Sequence, residues 1–211
     1  KFLYLFFLII GTLTIFYQIN FEDFWLDEMQ SFWIADPQLS WSETLQRHRD
    51  NDYHNPVFFN LVLKYFLIVF GYDPEIARYL PLICGVLFLI IIGPITRQVK
   101  KDNTFLLTTA LACLSIYIIK YSQEVRPYSL LLITSALNIY YFLKVIDKKK
   151  YHKKNTVFFI IFSTINYSVN PFSLIILFSQ IFFTTYKYFF FKSRYIQFYL
   201  SALLIIFSYL L

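Results

Sequence analysis

PVFFNLVLKYFLIVF, residues 56–70, is the stretch on which the fold turns. It is apolar enough to enter a bilayer, but its 15 residues make a helix only about 22 Å long, short of the roughly 30 Å of hydrocarbon that a spanning helix crosses. Asn60 and Lys64 stand four apart and so share a face. A helix with one polar and one apolar face suits the plane of the membrane interface better than its interior. The choice matters because a span added or removed here reverses the side on which every later loop lies.

Charge settles the choice. Seven other apolar runs, 2–19, 80–96, 105–119, 128–146, 156–169, 171–190 and 195–211, are each near or slightly under the roughly 20 residues that a transmembrane helix needs. With 56–70 left at the interface, the inner segments hold Lys1, Arg97, Lys100, Lys101, Lys144, Lys148, Lys149, Lys150, Lys153, Lys154, Lys187, Lys192 and Arg194 against only Asp102 and Asp147. The outer segments hold six basic residues, Arg47, Arg49, Lys64, Arg78, Lys120 and Arg126, against the eleven remaining acids. Cytoplasmic loops carry the Lys and Arg excess, so this arrangement obeys the rule. If 56–70 spanned, KKKYHKK at 148–154 would lie outside.

Composition agrees with a membrane setting: 58% hydrophobic, 22% aromatic and 15% charged residues, with a mean hydropathy of +0.54. The basic balance, +6 at neutral pH, is then an orientation signal and points to no nucleic-acid partner. Cys84 and Cys113 sit inside apolar runs with no Cys or His at ligand spacing, which leaves neither a disulfide framework nor a zinc site. The first apolar run is too long for a signal-peptide core and lacks a small-residue cleavage site, so it is expected to stay as an anchor. With Lys1 at the start and SALLIIFSYLL at the end, the chain reads as the N-terminal part of a longer protein. The expected fold is an all-α polytopic transmembrane helix bundle over residues 1–211, with juxtamembrane interfacial helices in the first outer loop, 20–79.

That loop has structure of its own. Trp25, Met29, Phe32, Trp33 and Asp36 follow helical spacing from Asp23 onward, forming an apolar stripe with tryptophans at headgroup level. Asp27, Gln30 and Ser31 share the opposite face. Ser40 and Glu43 form an S-x-x-E capping box for a second short helix through about Arg49. DNDYHNP then reads as a loop, with Pro56 opening the interfacial helix and Gly71 stopping it. Arg78 in EIARYLP either snorkels to head groups or touches a lipid phosphate. His48 and His152 read as solvated, and Asn170-Pro171 as a tight outer turn.

The chemistry-bearing residues follow the first span. Asp27 and Glu28 are adjacent, so on a helix they point about 100° apart and cannot both face one substrate atom. Acids in a first helical turn also complement the helix dipole, which is the bland account of the pair. The second outer loop, KYSQEVRPYS at 120–129, puts Glu124 and Arg126 on the same membrane side. Taken alone, those two are a surface pair.

Together, LDE after the first span, HNPVFFNLVLKYFLIVFG with ARYLP behind it, and YSQEVRPYSLLL resemble the polytopic GT-C glycosyltransferases that use lipid-phosphate sugars. That group contains dolichyl-phosphate-mannose protein mannosyltransferases and bacterial aminoarabinose transferases. The likeness runs over about residues 1–190, with YSQEVRPY its most specific element. It implies a catalytic base at Asp27 of the DE pair, a second acid at Glu124, and a basic residue before the helix-opening Pro at His54. The usual HPP is here His54-Asn55-Pro56. The implied substrates are a polyprenyl-phosphate-linked sugar and a glycan, lipid or protein acceptor hydroxyl, met on the extracytoplasmic side of the cell membrane.

The layout suits that chemistry. A sugar on polyprenyl phosphate already carries a good leaving group, so the protein must deprotonate the acceptor, balance the phosphate charge and hold the lipid at the interface. Asp27 is placed to take the proton. Attack opposite the phosphate inverts the anomeric carbon. Arg126, His54 and Arg78 are the candidate phosphate ligands, and a divalent metal bridging Glu124 and the phosphate is an alternative that the sequence leaves open. Two other classes stay in view. A transporter or flippase places ionisable groups at mid-membrane depth, and no expected span has a central Asp or Glu. A non-catalytic subunit of GT-C-like shape is the third reading.

Overall fold

The computed structural model describes residues 2–17, 19–20, 23–99, 104–147, 153–191 and 196–210. Lys1, Glu22, Lys100, Lys101, Asp102, Lys148, Lys149, Lys150, His152, Lys192 and Arg194 lie outside the described residues. All regular structure among those described is helical: α1 Phe2–Phe16, α2 Leu26–Ile34, α3 Trp41–Asn51, α4 Phe58–Phe70, α5 Pro74–Ala77, α6 Tyr79–Val99, α7 Thr104–Cys113, α8 Ile116–Tyr121, α9 Tyr128–Ile146, α10 Lys153–Val169, a 3-10 turn Pro171–Ser173, α11 Leu174–Phe191 and α12 Ile196–Leu210.

Among the described residues, three stretches are long and apolar enough to cross a membrane: Pro74–Val99, Tyr128–Ile146 and Pro171–Phe190. They carry the spans expected at 80–96, 128–146 and 171–190. The first begins earlier than hydropathy suggests, because Asp73 caps α5 through its carboxylate and the Glu75 N–H at 2.8 Å, with Pro74 at the first helical position. The other four expected spans fall on shorter helices. The run 105–119 is broken at Leu114–Ser115, where the backbone turns extended at Ser115 and restarts as the six-residue α8. At 15 residues, α1 is about 22 Å long.

The chain divides into two compact units, residues 1–133 and 134–211. In the first, α1, α6 and α7 pack together, and close approach is bought with glycine. A Cβ at Gly93 would lie 2.7 Å from the Tyr4 ring, and one at Gly11 2.6 Å from the Cys113 sulfur. Pro94 inside α6 has no N–H to give to the Ile90 carbonyl, and the Tyr4 hydroxyl donates to that carbonyl instead at 2.8 Å.

Residues 23–78 form a lobe that lies between α1 and α6 in the chain. Its capping box is formed as the spacing predicts: Glu43 N–H donates to Ser40 Oγ at 3.3 Å, and Ser40 N–H to Glu43 Oε2 at 2.7 Å. Those bonds hold the Glu43 carboxyl below its ordinary range. Gly71 stops α4 with φ 114°, a left-handed value that disfavours side chains. Asn60 and Lys64 do share a face, but both are buried and turned into the lobe. Asn60 bonds His48 Nδ1 at 3.0 Å, and the Lys64 ammonium donates to the Asp36 and Leu39 carbonyls at 2.5 and 2.8 Å. Tyr65, Ile68, Val69 and Phe70 form the exposed face. Thus α4 is amphipathic with its polar side covered by the connection between α2 and α3, which supplies the Asp36 and Leu39 carbonyls, and by His48 of α3, which supplies the imidazole.

His48 is correspondingly not solvated. It is buried, with Nε2 2.8 Å from the Asn55 carbonyl. Phe32 leaves the expected tryptophan stripe and stacks on Tyr72 at 4.2 Å; Leu26, Met29 and Trp33 are the exposed residues of α2.

In the second unit, Phe142, Val145, Phe159, Leu177, Phe198, Ala202 and Ile205 form the core. Beside it runs a buried polar ladder: Gln180 donates to Asn138 Oδ1 at 2.6 Å, Asn138 to Ser163 Oγ at 2.5 Å, and Thr134 to Asn166 Oδ1 at 2.7 Å. Such bonds join helices where lipid gives no hydrophobic drive between them. Asn170 forms the expected tight turn, accepting the Phe172 N–H at 2.9 Å.

Candidate functional site

The short helix α2 is the middle of the site. Its first turn carries Asp27 and Glu28, and the two carboxylates diverge as the helical geometry requires. Glu28 turns inward: its side chain is 3% exposed and lies 3.5 Å from the Arg78 guanidinium. Its other oxygen accepts the Val125 backbone N–H at 2.8 Å. Asp27 turns outward: its side chain is 37% exposed and stands 3.5 Å from Arg126, whose own side chain is 9% exposed. Arg126 also donates to Ser31 Oγ at 3.3 Å and to the Asp27 carbonyl at 3.4 Å. The structure therefore brings LDE and QEVRP, about a hundred residues apart in sequence, into one wall.

The segment 122–126 is fastened by contacts to α1, α2 and α6. Gln123 donates to the Ile15 and Tyr17 carbonyls, both at 2.9 Å, closing the C-terminal end of α1. Ser122 is buried against Gly85 of α6, where a Cβ would lie 2.5 Å from the Ser122 Cβ. Glu124 stands 3.6 Å from the Lys120 ammonium.

Two openings flank this wall. The larger, about 450 Å³, is lined by Tyr17, Trp25, Glu28, Arg78, Lys120 and Glu124 among others, and its size is that of a small-molecule site. It lies at the end of α1. The smaller, about 10 Å³, is a closed seam between Arg126 and Ser31 on one side and Asp52, Asn55 and Pro56 on the other. Burial in the larger opening pushes the Glu124 carboxyl up from its ordinary range; Lys120 opposes this and Glu28 adds to it.

Three placements differ from the sequence reading. Arg78 does not snorkel: it is buried, donates to the Ile19 carbonyl at 2.8 Å and lies 4.8 Å over the Phe24 ring. Arg126 is spent on α2, with its Nε buried and unpartnered. His54 is exposed, its ring tilted against that of Tyr53 with centroids 3.7 Å apart, and it lines neither opening; its neighbours Asn55 and Pro56 reach the seam instead. Lys120 and Gln123 were not singled out by sequence. The signal for Lys120 was its i, i+4 spacing to Glu124.

A resident metal does not fit this donor set. Among the described residues no three His, Cys, Asp or Glu side chains cluster, and the two carboxylates of the larger opening are each engaged by a cation, Glu28 by Arg78 and Glu124 by Lys120.

No protein-family model matches the chain, and no curated protein or solved structure matches it either. The likeness to GT-C transferases rests on the quoted motifs alone.

Proposed function

We propose that this chain acts as a multi-pass membrane glycosyltransferase, moving a sugar from a polyprenyl-phosphate carrier to an acceptor hydroxyl at the extracytoplasmic surface, with inversion. One observation carries the reading: the acids of the first outer segment and the QEVRP segment form one ion-paired wall beside an opening at the end of an apolar helix.

In-line displacement needs the acceptor oxygen and the leaving phosphate on opposite sides of the anomeric carbon. The divergence of Asp27 and Glu28 on α2 serves that need. Asp27, partly exposed and held by Arg126, is the base that takes the acceptor proton. The donor phosphate occupies the larger opening beside Arg78 and Glu124. Glu28 is a positioning residue that ties α2 to Arg78 and Val125. The exposed residues Leu26, Met29 and Trp33 on α2, and those of α4, suit contact with lipid.

The test is transfer from a panel of polyprenyl-phosphate hexoses and pentoses by the full-length protein in nanodiscs. Asp27→Asn keeps shape but removes the proton acceptor, so turnover is expected to fall about 100-fold or more with donor binding retained. Full turnover in Asp27→Asn overturns the assignment. Absence of transfer with every donor in the panel, by a folded protein, overturns the function.

A further inference from the structure

We propose that Lys120 and Glu124 form an exchangeable ion pair that makes the larger opening a proton-coupled receptor for a phosphate head group. The proposal rests on the glycosyltransferase reading for the identity of the phosphate and deepens it by naming how that phosphate is recognised.

The cations near the opening differ in how far they are already engaged. Arg126 gives its guanidinium to Asp27 and Ser31 and lines the seam, outside the larger opening. Arg78 lines the opening but spends one terminal nitrogen on the Ile19 carbonyl and the other on Glu28. Lys120 is different. Its side chain is 67% exposed, and its only ionic contact among the described residues is Glu124 at 3.6 Å. A pair that open to water is weak, so an incoming anion can take the ammonium at little loss. A phosphate in the opening then has Lys120 as a direct ligand and Arg78 as fixed positive charge behind it, while Trp25 and Tyr17 give the wall apolar surface.

Taking Lys120 leaves Glu124 in difficulty. Its side chain is 13% exposed. The groups around it are Lys120 on α8, Glu28 on α2, Arg78 at the start of α6 and Arg126 two residues on. The two arginines are already matched to Asp27 and Glu28, so once Lys120 turns to phosphate the Glu124 carboxylate faces an anion without a counter-ion. Burial already favours its protonated form, and the phosphate favours it further. Binding therefore takes up a proton at Glu124, and affinity rises as pH falls over the range above the second ionisation of the phosphate, about pH 6, where the ligand's own charge is constant.

The sign of the variants separates this from a structural role. Lys120→Met should weaken binding about tenfold or more, with Lys120→Arg close to the parent. Glu124→Gln should do the opposite, tightening binding at neutral pH and flattening its pH dependence, because repulsion is lost and Lys120 is released. A residue that merely holds the loop would weaken binding on substitution.

The experiment is calorimetric titration of the full-length protein, in phosphatidylcholine nanodiscs, with farnesyl phosphate in two buffers of different ionisation enthalpy. The expected result is proton uptake on binding, absent in Glu124→Gln, together with the opposite affinity changes above. Repeating it in nanodiscs containing phosphatidylglycerol distinguishes the source: competition there assigns the site to bulk phospholipid head groups, and its absence assigns it to the prenyl phosphate. Weaker binding in Glu124→Gln, or no proton uptake by the parent, overturns the proposal. Opposite signs in a protein that transfers no sugar would keep this receptor and remove the transferase reading, whereas transfer unaffected by Lys120→Met would do the reverse.

Discussion

Glu28 accepts the backbone N–H of Val125 at 2.8 Å across 97 positions of sequence, while its second oxygen lies 3.5 Å from Arg78. One buried carboxylate thus fixes α2, the junction of α5 and α6 at Arg78, and the QEVRP segment against each other. Glu28→Gln keeps an acceptor for Val125 but leaves the Arg78 guanidinium buried without its counter-charge. Removing one partner of a buried pair costs about 3 kcal/mol or more. Asp27→Asn, at a partly exposed position, should cost well under half of that. Thermal unfolding of the two variants in nanodiscs checks the order; equal losses would mean that Glu28 is not the strut.

Gly85 should be intolerant of any side chain for a reason local to the site. A Cβ there meets the Ser122 Cβ at 2.5 Å, and Ser122 is followed directly by Gln123 and Glu124. Overpacking of this kind costs typically 1–3 kcal/mol. Gly85→Ala is expected to weaken farnesyl phosphate binding by shifting the 122–127 segment, and Ser122→Gly in the same chain should restore it. Failure of the second substitution to rescue would place the clash elsewhere.

Much of this was legible in the sequence, and the reasons are physical. The capping box, Gly71 as a stop, the Asn170 turn and the divergence of Asp27 from Glu28 are local rules of a few residues, and the structure keeps them. Burial was not legible. Arg78 reads in sequence as a head-group or phosphate contact and His48 as solvated, because their partners, Glu28 and the Ile19 carbonyl for one, Asn60 and the Asn55 carbonyl for the other, lie elsewhere in the chain. The break at Ser115 likewise hid inside an uninterrupted apolar run, since hydropathy does not report where a helix turns.

The orientation drawn from loop charge has a direct test, because the native thiols are buried: Cys84 and Cys113 are both shielded. Single cysteines at Asn51, Lys120 and Lys153, all exposed positions, report the side of the membrane. A membrane-impermeant maleimide on intact cells is expected to label Asn51→Cys and Lys120→Cys, and to reach Lys153→Cys only after permeabilisation. Opposite behaviour of Asn51→Cys and Lys120→Cys would mean that an odd number of spans separates them, and the wall built from α2 and QEVRP would be lost.

Glu124 also sets a pH dependence of stability whose sign can be worked out. Burial, with Glu28 nearby, raises its carboxyl above the ordinary range despite Lys120. The folded state therefore holds the proton more tightly than the unfolded state does. The stability this contributes is fully present below the unfolded carboxylate value and is lost as pH rises through the raised one. Glu124→Gln carries no titrating group, so it should be more stable than the parent at neutral pH, with the difference shrinking to nothing as pH falls through the carboxylate range. Thermal unfolding from about pH 4 to about pH 8 checks this. A difference that does not change with pH would show that the variant acts through packing alone, and a variant less stable than the parent at neutral pH, by a margin that closes as pH falls, would mean that the Lys120 pair outweighs burial at this carboxylate.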